Sequence, residues 1–556
     1  MNYLFDVSHV EIPHGVTAIG QIAFRACKNL QSVVIPGSVK VIGSQAFAVC
    51  DNLSSVVLSP GINAIESSAF FGCSSLTSIV IPDSVKEIAG GVFDLCKSLS
   101  SVNIPDGLTS IGSSCFSDCH ALASIEIPDS VTEIGSNAFY DCISLASISL
   151  PDGVSKIGRA AFYRCRSLTS ILIPHGVTRL DKETFHSCSS LTSVSLPDGL
   201  TEIDDSAFRG CTALTSISIP DSVKKIGWHV FQDCHSLTSI TLPDGLAYIC
   251  HHAFSDCTSL SSISIPRGAA WIGDNAFSGC KNLASIEIPC SVTGIGWRAF
   301  SGCVSLTSIV IPHGVTRIKP NTFVNCLALA SVALPDGILE IGNEAFHNCS
   351  ALATISIPNS VKKIGSDALR NCFALASISL PDSITEIGWD AFHRCSSLTS
   401  VAIPNSVTEI SGWLFAGCAS LTSVEIPDGV TEIGEHAFHG CSSLASVALP
   451  DSVKEIDCCA VQGCTSLTSV VSPGGVTKIG GGAFKGCKGL TSIVIPDSVT
   501  RIGKYAFAGC EGLETLVIPD SVKEIGKDAF KGVAHVIYGG SVQSEGGWGA
   551  KRISRA

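Results

Sequence analysis

No stretch of this chain approaches 18 consecutive apolar residues, which excludes a transmembrane helix by length alone. The first residues hold no positively charged segment followed by an apolar core, so no secretory signal is visible. Basic residues are in the minority. The formal net charge is −13, which argues against nucleic acid and anionic membrane surfaces as partners, because both need clustered Lys and Arg. The short C-terminal group Lys551, Arg552 and Arg555 is a local exception and reads as a solvated tail. No G-x-x-x-x-G-K-S/T phosphate loop occurs, and no D-x-D-x-D-G calcium loop. The turn aspartates, such as Asp83, Asp106 and Asp129, therefore read as turn formers. With only 15% charged residues against 45% hydrophobic ones, general disorder is excluded as well.

What is present is a period. Proline stands at Pro13, Pro36, Pro82 and then every 23rd residue to Pro519, with Ser59 the one exception, where proline slips to Pro60. Phenylalanine keeps the same beat from Phe24 to Phe530, broken at Leu369 and Val461. Cysteine fills every such position from Cys27 to Cys510, and leucine every position from Leu30 to Leu513. One unit reads P-D-S/G-V-T/K-E/K-I-G-x-x-A-F-x-x-C-x-S-L-T-S-I-x-I. The N-terminus is in phase too, with Met1 at the phenylalanine position, Leu4 at the cysteine position and Val7 at the leucine position, before Val10 and Ile12. At 556 residues an ordinary chain would hold several domains. A fixed period instead means one repeated unit that buries its apolar face only by stacking on its neighbours. We expect a single solenoid of about 23 repeats over residues 1–538 and a glycine-rich basic tail over 539–556.

Within a unit, the alternation Ile-x-Ile is the period of a strand. Pro-Asp-Ser/Gly supplies a turn. The glycine after the next isoleucine is expected to take a left-handed backbone. Ala-Phe-x-x-Cys has too few residues for a full helix and suits a turn or a short helical piece.

The stretches "LTSIVIPDSVKEIAGGVFDLC" (Leu76 to Cys96) and "SLTSVEIPDGVTEIGEHAFHGC" (Ser420 to Cys441) resemble the BspA-like, or Treponema-type, leucine-rich repeat. The resemblance covers roughly residues 1 to 535. It implies a right-handed, curved leucine-rich-repeat superhelix with a parallel β-sheet on the concave face and short turns or helical pieces on the convex side. It further implies a surface protein acting in adhesion and host or cell contact, although this chain departs from that pattern in showing no export signal. The ending "IYGGSVQSEGGWGAKRI" is similar to the terminus of some bacterial members and implies a cap.

Chemistry is hard to place on such a chain. Ladder cysteines one per 23 residues lack metal spacing such as C-x₂-C. Stacked coils about 4.8 Å apart also hold equivalent atoms beyond disulfide reach. A buried, reduced thiol ladder is the preferred reading, and it favours a reducing, cytoplasmic compartment over the cell surface or unconventional secretion. Cys115, Cys250, Cys290, Cys458 and Cys459 fall off the beat, and the vicinal pair Cys458–Cys459 reads as drift rather than a redox site. His229 and His252 sit at matching places in adjacent coils and should stack, yet no third ligand is evident, and His436 recurs there singly. A near-uniform repeat makes no unique point at which unlike catalytic groups converge. We therefore expect no enzyme, no cofactor and no metal, with a metal-binding or enzymatic protein as the distant alternative.

What remains is surface. The residue before the inward isoleucine is serine almost throughout, from Ser32 to Ser492. The residue after it varies. It is apolar near the ends, at Val34, Val57 and Val80 and again at Val471, Val494 and Val517, and mostly polar between, with Glu126, Glu287 and Glu425. Exposed apolar patches mark interaction sites, although valine is also simply a good strand former. These nine residues are the expected ligand surface of a non-enzymatic scaffold for a protein partner, with a cell-surface adhesin as the alternative.

Overall fold

The computed structural model describes residues 7–471, 474–544 and 546–556. Met1 and Leu4 lie outside the described residues. The fold is a parallel β-solenoid of about 23 turns, and its packing divides into two compact units, Met1–Leu283 and Ala284–Ala556.

In the first unit each coil lays down two strands. Longer strands such as Ser32–Ile35, Ser55–Leu58 and Ser78–Val80 alternate with short ones such as Val41–Ile42, Ala64–Ile65 and Glu87–Ile88. Every pairing is parallel with a register of 23: Val33 lies opposite Val56, and Ile42 opposite Ile65. A proline turn joins the two strands, closed by the Val39 N–H donating to the Pro36 carbonyl at 3.0 Å. The second unit repeats the plan with strands such as Ser400–Ala402 and Ser423–Glu425, and short strands such as Glu409–Ile410 and Glu432–Ile433.

The third side of each coil departs from the sequence expectation. No helix occurs among the described residues. From Gly43 onward the N–H groups alternate: Ala46 and Ala48 donate within their coil, to Gly43 and Gln45, while Gln45, Phe47 and Val49 donate to Ser67, Ala69 and Phe71 of the next coil. Asn321, Phe323 and Asn325 do the same in the second unit. An α-helix spends every N–H on its own turn. Here the residues at Gln45 and Val49 take left-handed backbone, φ 56° and 59°, as do Asn321 and Asn325 at 57° and 62°, and the alternation follows.

The glycine expectation is corrected for the same reason. Gly43, Gly135 and Gly158 are absent from the left-handed set. They are small because neighbouring coils touch there: a Cβ on Gly135 would lie 2.6 Å from the Ser113 nitrogen, and on Gly158 2.5 Å from the Ser136 nitrogen.

The periodic residues fill the interior. Phe139 and Phe162 stack with ring centroids 5.4 Å apart in the first unit, and Phe415 and Phe438 5.7 Å apart in the second. The ladder cysteines are buried, and their thiols donate to carbonyls of the preceding coil, as Cys142 does to Phe116 at 3.0 Å and Cys441 to Phe415 at 3.1 Å. Near the C-terminus, Arg552–Arg555 pairs with His535–Tyr538, and Trp548 stands edge-on to Phe530, the last ring of the column, at 6.2 Å.

Candidate functional site

The long strands present one face outward because their side chains alternate. In the first unit the inward Val33 and Ile79 are buried at 0% and 3% exposure, while Val34, Val57 and Val80 between them stand out at 39%, 50% and 68%. Val34 and Val57 are direct cross-strand neighbours. Glu126 is exposed opposite Ser149. Exposed Leu172 belongs to the same column and overlooks a shallow groove with Ser193, Ser195 and Asp198.

In the second unit Glu287 and Glu425 are exposed, the latter opposite Ala402. Val471, Val494 and Val517 are exposed at 67%, 73% and 59%, Val494 being the most open of the set. Val517 lies opposite Ile537, which extends this apolar row into the C-terminal segment. All nine residues singled out from sequence are therefore solvent-facing. Leu172 and Val310 were passed over, although the 23-residue spacing places both in this column.

The repeat itself decides the family. A model of the BspA type leucine rich repeat region matches residues 2–123, 109–236, 201–330, 316–445 and 413–536. The chain belongs to the BspA type leucine-rich repeat family. No curated protein matches its sequence. Among solved structures, a leucine-rich repeat protein from Bacteroides ovatus is 26% identical over 83% of this chain and 84% of that one, with a TM-score of 0.26. One from Eubacterium ventriosum is 21% identical over 66% and 82%, with a TM-score of 0.30. A leucine rich cell surface protein from Faecalibacterium prausnitzii is 22% identical over 92% and 87%, with a TM-score of 0.20. The family assignment rests on the repeat match and not on these superpositions.

The other groups singled out in this BspA type chain are placed as follows. The His229 and His252 rings do stack, with centroids 4.5 Å apart. Their nitrogens are turned to other partners: His229 Nδ1 lies 2.7 Å from Gln232 Oε1, and His252 Nε2 3.4 Å from Asn275 Nδ2. Burial, with His229 and His251 adding charge repulsion, holds the His252 imidazole below its ordinary range. Cys458 and Cys290 are exposed, Cys250 and Cys459 half-buried, and Cys115 fully buried beside the phenylalanine column. Burial pushes Cys96 and Cys326 up to about 12.

Two constellations escaped the sequence reading. In the second unit, Trp413 stacks on His436 at 4.0 Å and lies 5.9 Å from His439, whose imidazole burial holds below its usual range. In the first, Asp118, His120 and Asp141 converge on one point.

Proposed function

We propose that this BspA type chain is a non-enzymatic scaffold that binds a protein partner on the exposed faces of its long strands. The observation that supports this reading is one column of side chains. Its interior neighbours barely change from coil to coil, whereas the outward residue ranges from Val80 and Val494 to Glu126, Glu287 and Glu425, all solvent-facing. Near-uniform serine on one side of that column and free variation in it is what a built surface needs: constant backbone spacing with selectable contacts. The apolar stretches at Val34, Val57, Val80 and at Val471, Val494, Val517 supply most of the binding energy, as buried centres of interfaces do. The glutamates set charge preference. The C-terminal segment after residue 538 closes the phenylalanine column as a cap. Among the described residues no helix is long and apolar enough to cross a membrane. A cell-surface adhesin is the second reading, since it uses the same face, and fractionation of producing cells separates the two.

The test is calorimetric titration of a partner recovered with the intact chain. Val57→Thr and Val494→Thr keep the branched shape while adding a polar atom. At least one should cost about 2 kcal/mol of binding, roughly 30-fold in Kd, with the melting temperature nearly unchanged. Binding that survives both, yet is abolished by substituting His229 or Trp389 on the turn side, means the partner uses a different face.

A further inference from the structure

We propose that the turn side of the first unit holds a zinc-type divalent cation between Asp118, His120 and Asp141. Asp118 and His120 belong to one coil and Asp141 occupies the Asp118 position of the next. His120 Nε2 lies 3.5 Å from Asp118 Oδ1 and 3.6 Å from Asp141 Oδ2. One donor atom from each of the three lies within 4.8 Å of the others. Ligands held tetrahedrally at ~2.0–2.2 Å from zinc stand about 3.3–3.6 Å apart. Both measured separations are of that size, too long for direct hydrogen bonds and short enough to share one ion.

The donors are also aimed. His120 Nε2 is buried with no hydrogen-bond partner among the described residues, a costly arrangement for an imidazole nitrogen unless something occupies the point it faces. The other oxygen of each carboxylate faces a second group, hydrogen-bonded in Asp118 but only at ion-pair distance in Asp141. Ser117 Oγ donates to Asp118 Oδ2 at 3.1 Å, and Arg164 Nε approaches Asp141 Oδ1 at 3.4 Å. That leaves Asp118 Oδ1 and Asp141 Oδ2 turned to the imidazole, and such outer partners are what orient metal-binding carboxylates.

The backbone beneath is fixed as well. Asp118 and Asp141 both take left-handed φ, 56° and 53°. Their N–H groups donate to the Tyr140 and Tyr163 carbonyls of the following coils, each at 2.7 Å, and the His120 N–H returns to the Asp118 carbonyl at 3.0 Å.

Charge points the same way. Asp94, one coil before, lines a shared groove with Asp118 and Ser117. Three carboxylates against one guanidinium favour a cation. An imidazole among the donors favours zinc or a similar transition ion over magnesium or calcium. The His120 side chain is 31% exposed, which leaves an entry path and a place for a water ligand.

The chain carries its own control. Asp233, His235 and Asp256 repeat the same three residues five coils later in the same unit. There Arg209 Nε lies 3.7 Å from Asp233 Oδ2, Ser255 Oγ donates to Asp256 Oδ2 at 3.0 Å, and the three do not converge.

The experiment uses the full chain, stripped with chelator and titrated calorimetrically with zinc chloride, then with cobalt(II) to read coordination by visible absorption. One ion per chain is expected, with the intense d–d bands of a tetrahedral site and a rise in melting temperature on zinc addition. His120→Ala and Asp141→Asn should each weaken binding on the order of tenfold or more and abolish the melting-temperature rise. His235→Ala should change neither. The proposal is overturned if the parent shows no saturable binding or if His120→Ala binds as the parent does. It is equally overturned by thiolate-to-cobalt charge-transfer bands, which would move the ion to Cys458, Cys459 or another thiol.

Discussion

Over five successive short strands of the first unit the outward residue runs Glu133, Lys156, Arg179, Glu202, Lys225, and opposite charges pair across the ladder. Lys156 Nζ lies 2.6 Å from Glu133, Arg179 Nη1 lies 3.3 Å from Glu202, and Lys225 also reaches Glu202. Over four successive short strands of the second unit the same position runs Glu386, Glu409, Glu432, Glu455, although Arg317 pairs with Glu340 and Arg501 with Glu524 elsewhere in that unit. Glu409 faces Glu432, and Glu432 faces Glu455, with Lys363 and Lys478 pairing only at the two ends. Like charges directly opposite one another in a sheet destabilise it. Both units nonetheless stack the same phenylalanine, cysteine and leucine columns. Interior burial on this scale exceeds surface ion pairs in energy, so the coil spacing follows the inside and leaves the outer column free to vary.

The largest expected effect tests whether the two interiors are equivalent. With Cys96 and Cys326 each raised to about 12 from an ordinary 9.0, their reactive thiolate fraction at neutral pH falls by about three powers of ten. We predict that a thiol reagent labels Cys458 and Cys290 in the native protein, and the Cys27–Cys510 ladder only after unfolding without reductant. Ladder labelling confined to one native unit would break the equivalence; absent labelling after unfolding would show that the ladder is oxidised. The same thiols give stability a pH dependence. Their native values lie above the unfolded ones, so their contribution is fully present below about pH 9 and is lost as pH rises and the unfolded thiols ionise. Denaturant midpoints across that range check the sign.

Next in size, Phe277→Ala and Phe415→Ala each remove a fully buried ring. Each should cost about 3–5 kcal/mol by denaturant unfolding. A cost under about 1 kcal/mol in either unit would mean that its phenylalanine column is not packed.

The smallest effects sharpen the surface contrast, because they should differ in sign. Glu202→Gln gives up contacts to Arg179 and Lys225, and should lower stability by about 1 kcal/mol or less, since both cations are largely in solvent. Glu432→Gln relieves repulsion instead. Partial burial, then Glu409, Asp457 and Glu455, hold the Glu432 carboxyl above its ordinary 4.5. The charged form is therefore disfavoured in the folded state, so the penalty operates at neutral pH and disappears as pH falls below about 4.5. The variant should gain a few tenths of a kcal/mol at pH 7 and nothing at pH 4. A loss at pH 7 would show that Glu432 is paired in solution.

Much of this was legible because it depends on spacing alone. The Val34–Val517 column and the His229–His252 stack follow from counting 23. Leu172 and Val310 are legible in the same way, since both fall on the same count from Val34. The turn side was not legible. Ala-Phe-x-x-Cys reads equally as a helical fragment, and nothing in Gln45, Val49 or Asn325 announces left-handed backbone. The cation site was beyond sequence altogether, since Asp118, His120 and Asp141 recur letter for letter at Asp233, His235 and Asp256.

The sequence by itself determined the period, the parallel register, the buried columns and which residues face out from the long strands. All of these follow from stacking identical units whose apolar positions must coincide. The tertiary structure alone decided where N–H groups alternate between their own coil and the next, why Gly135 must be small, and which carboxylate oxygens turn to His120. Those depend on backbone dihedrals and on side-chain competition with neighbours such as Ser117, Arg164 and Arg209. A one-dimensional repeat carries no record of either until its coils are set against each other in space.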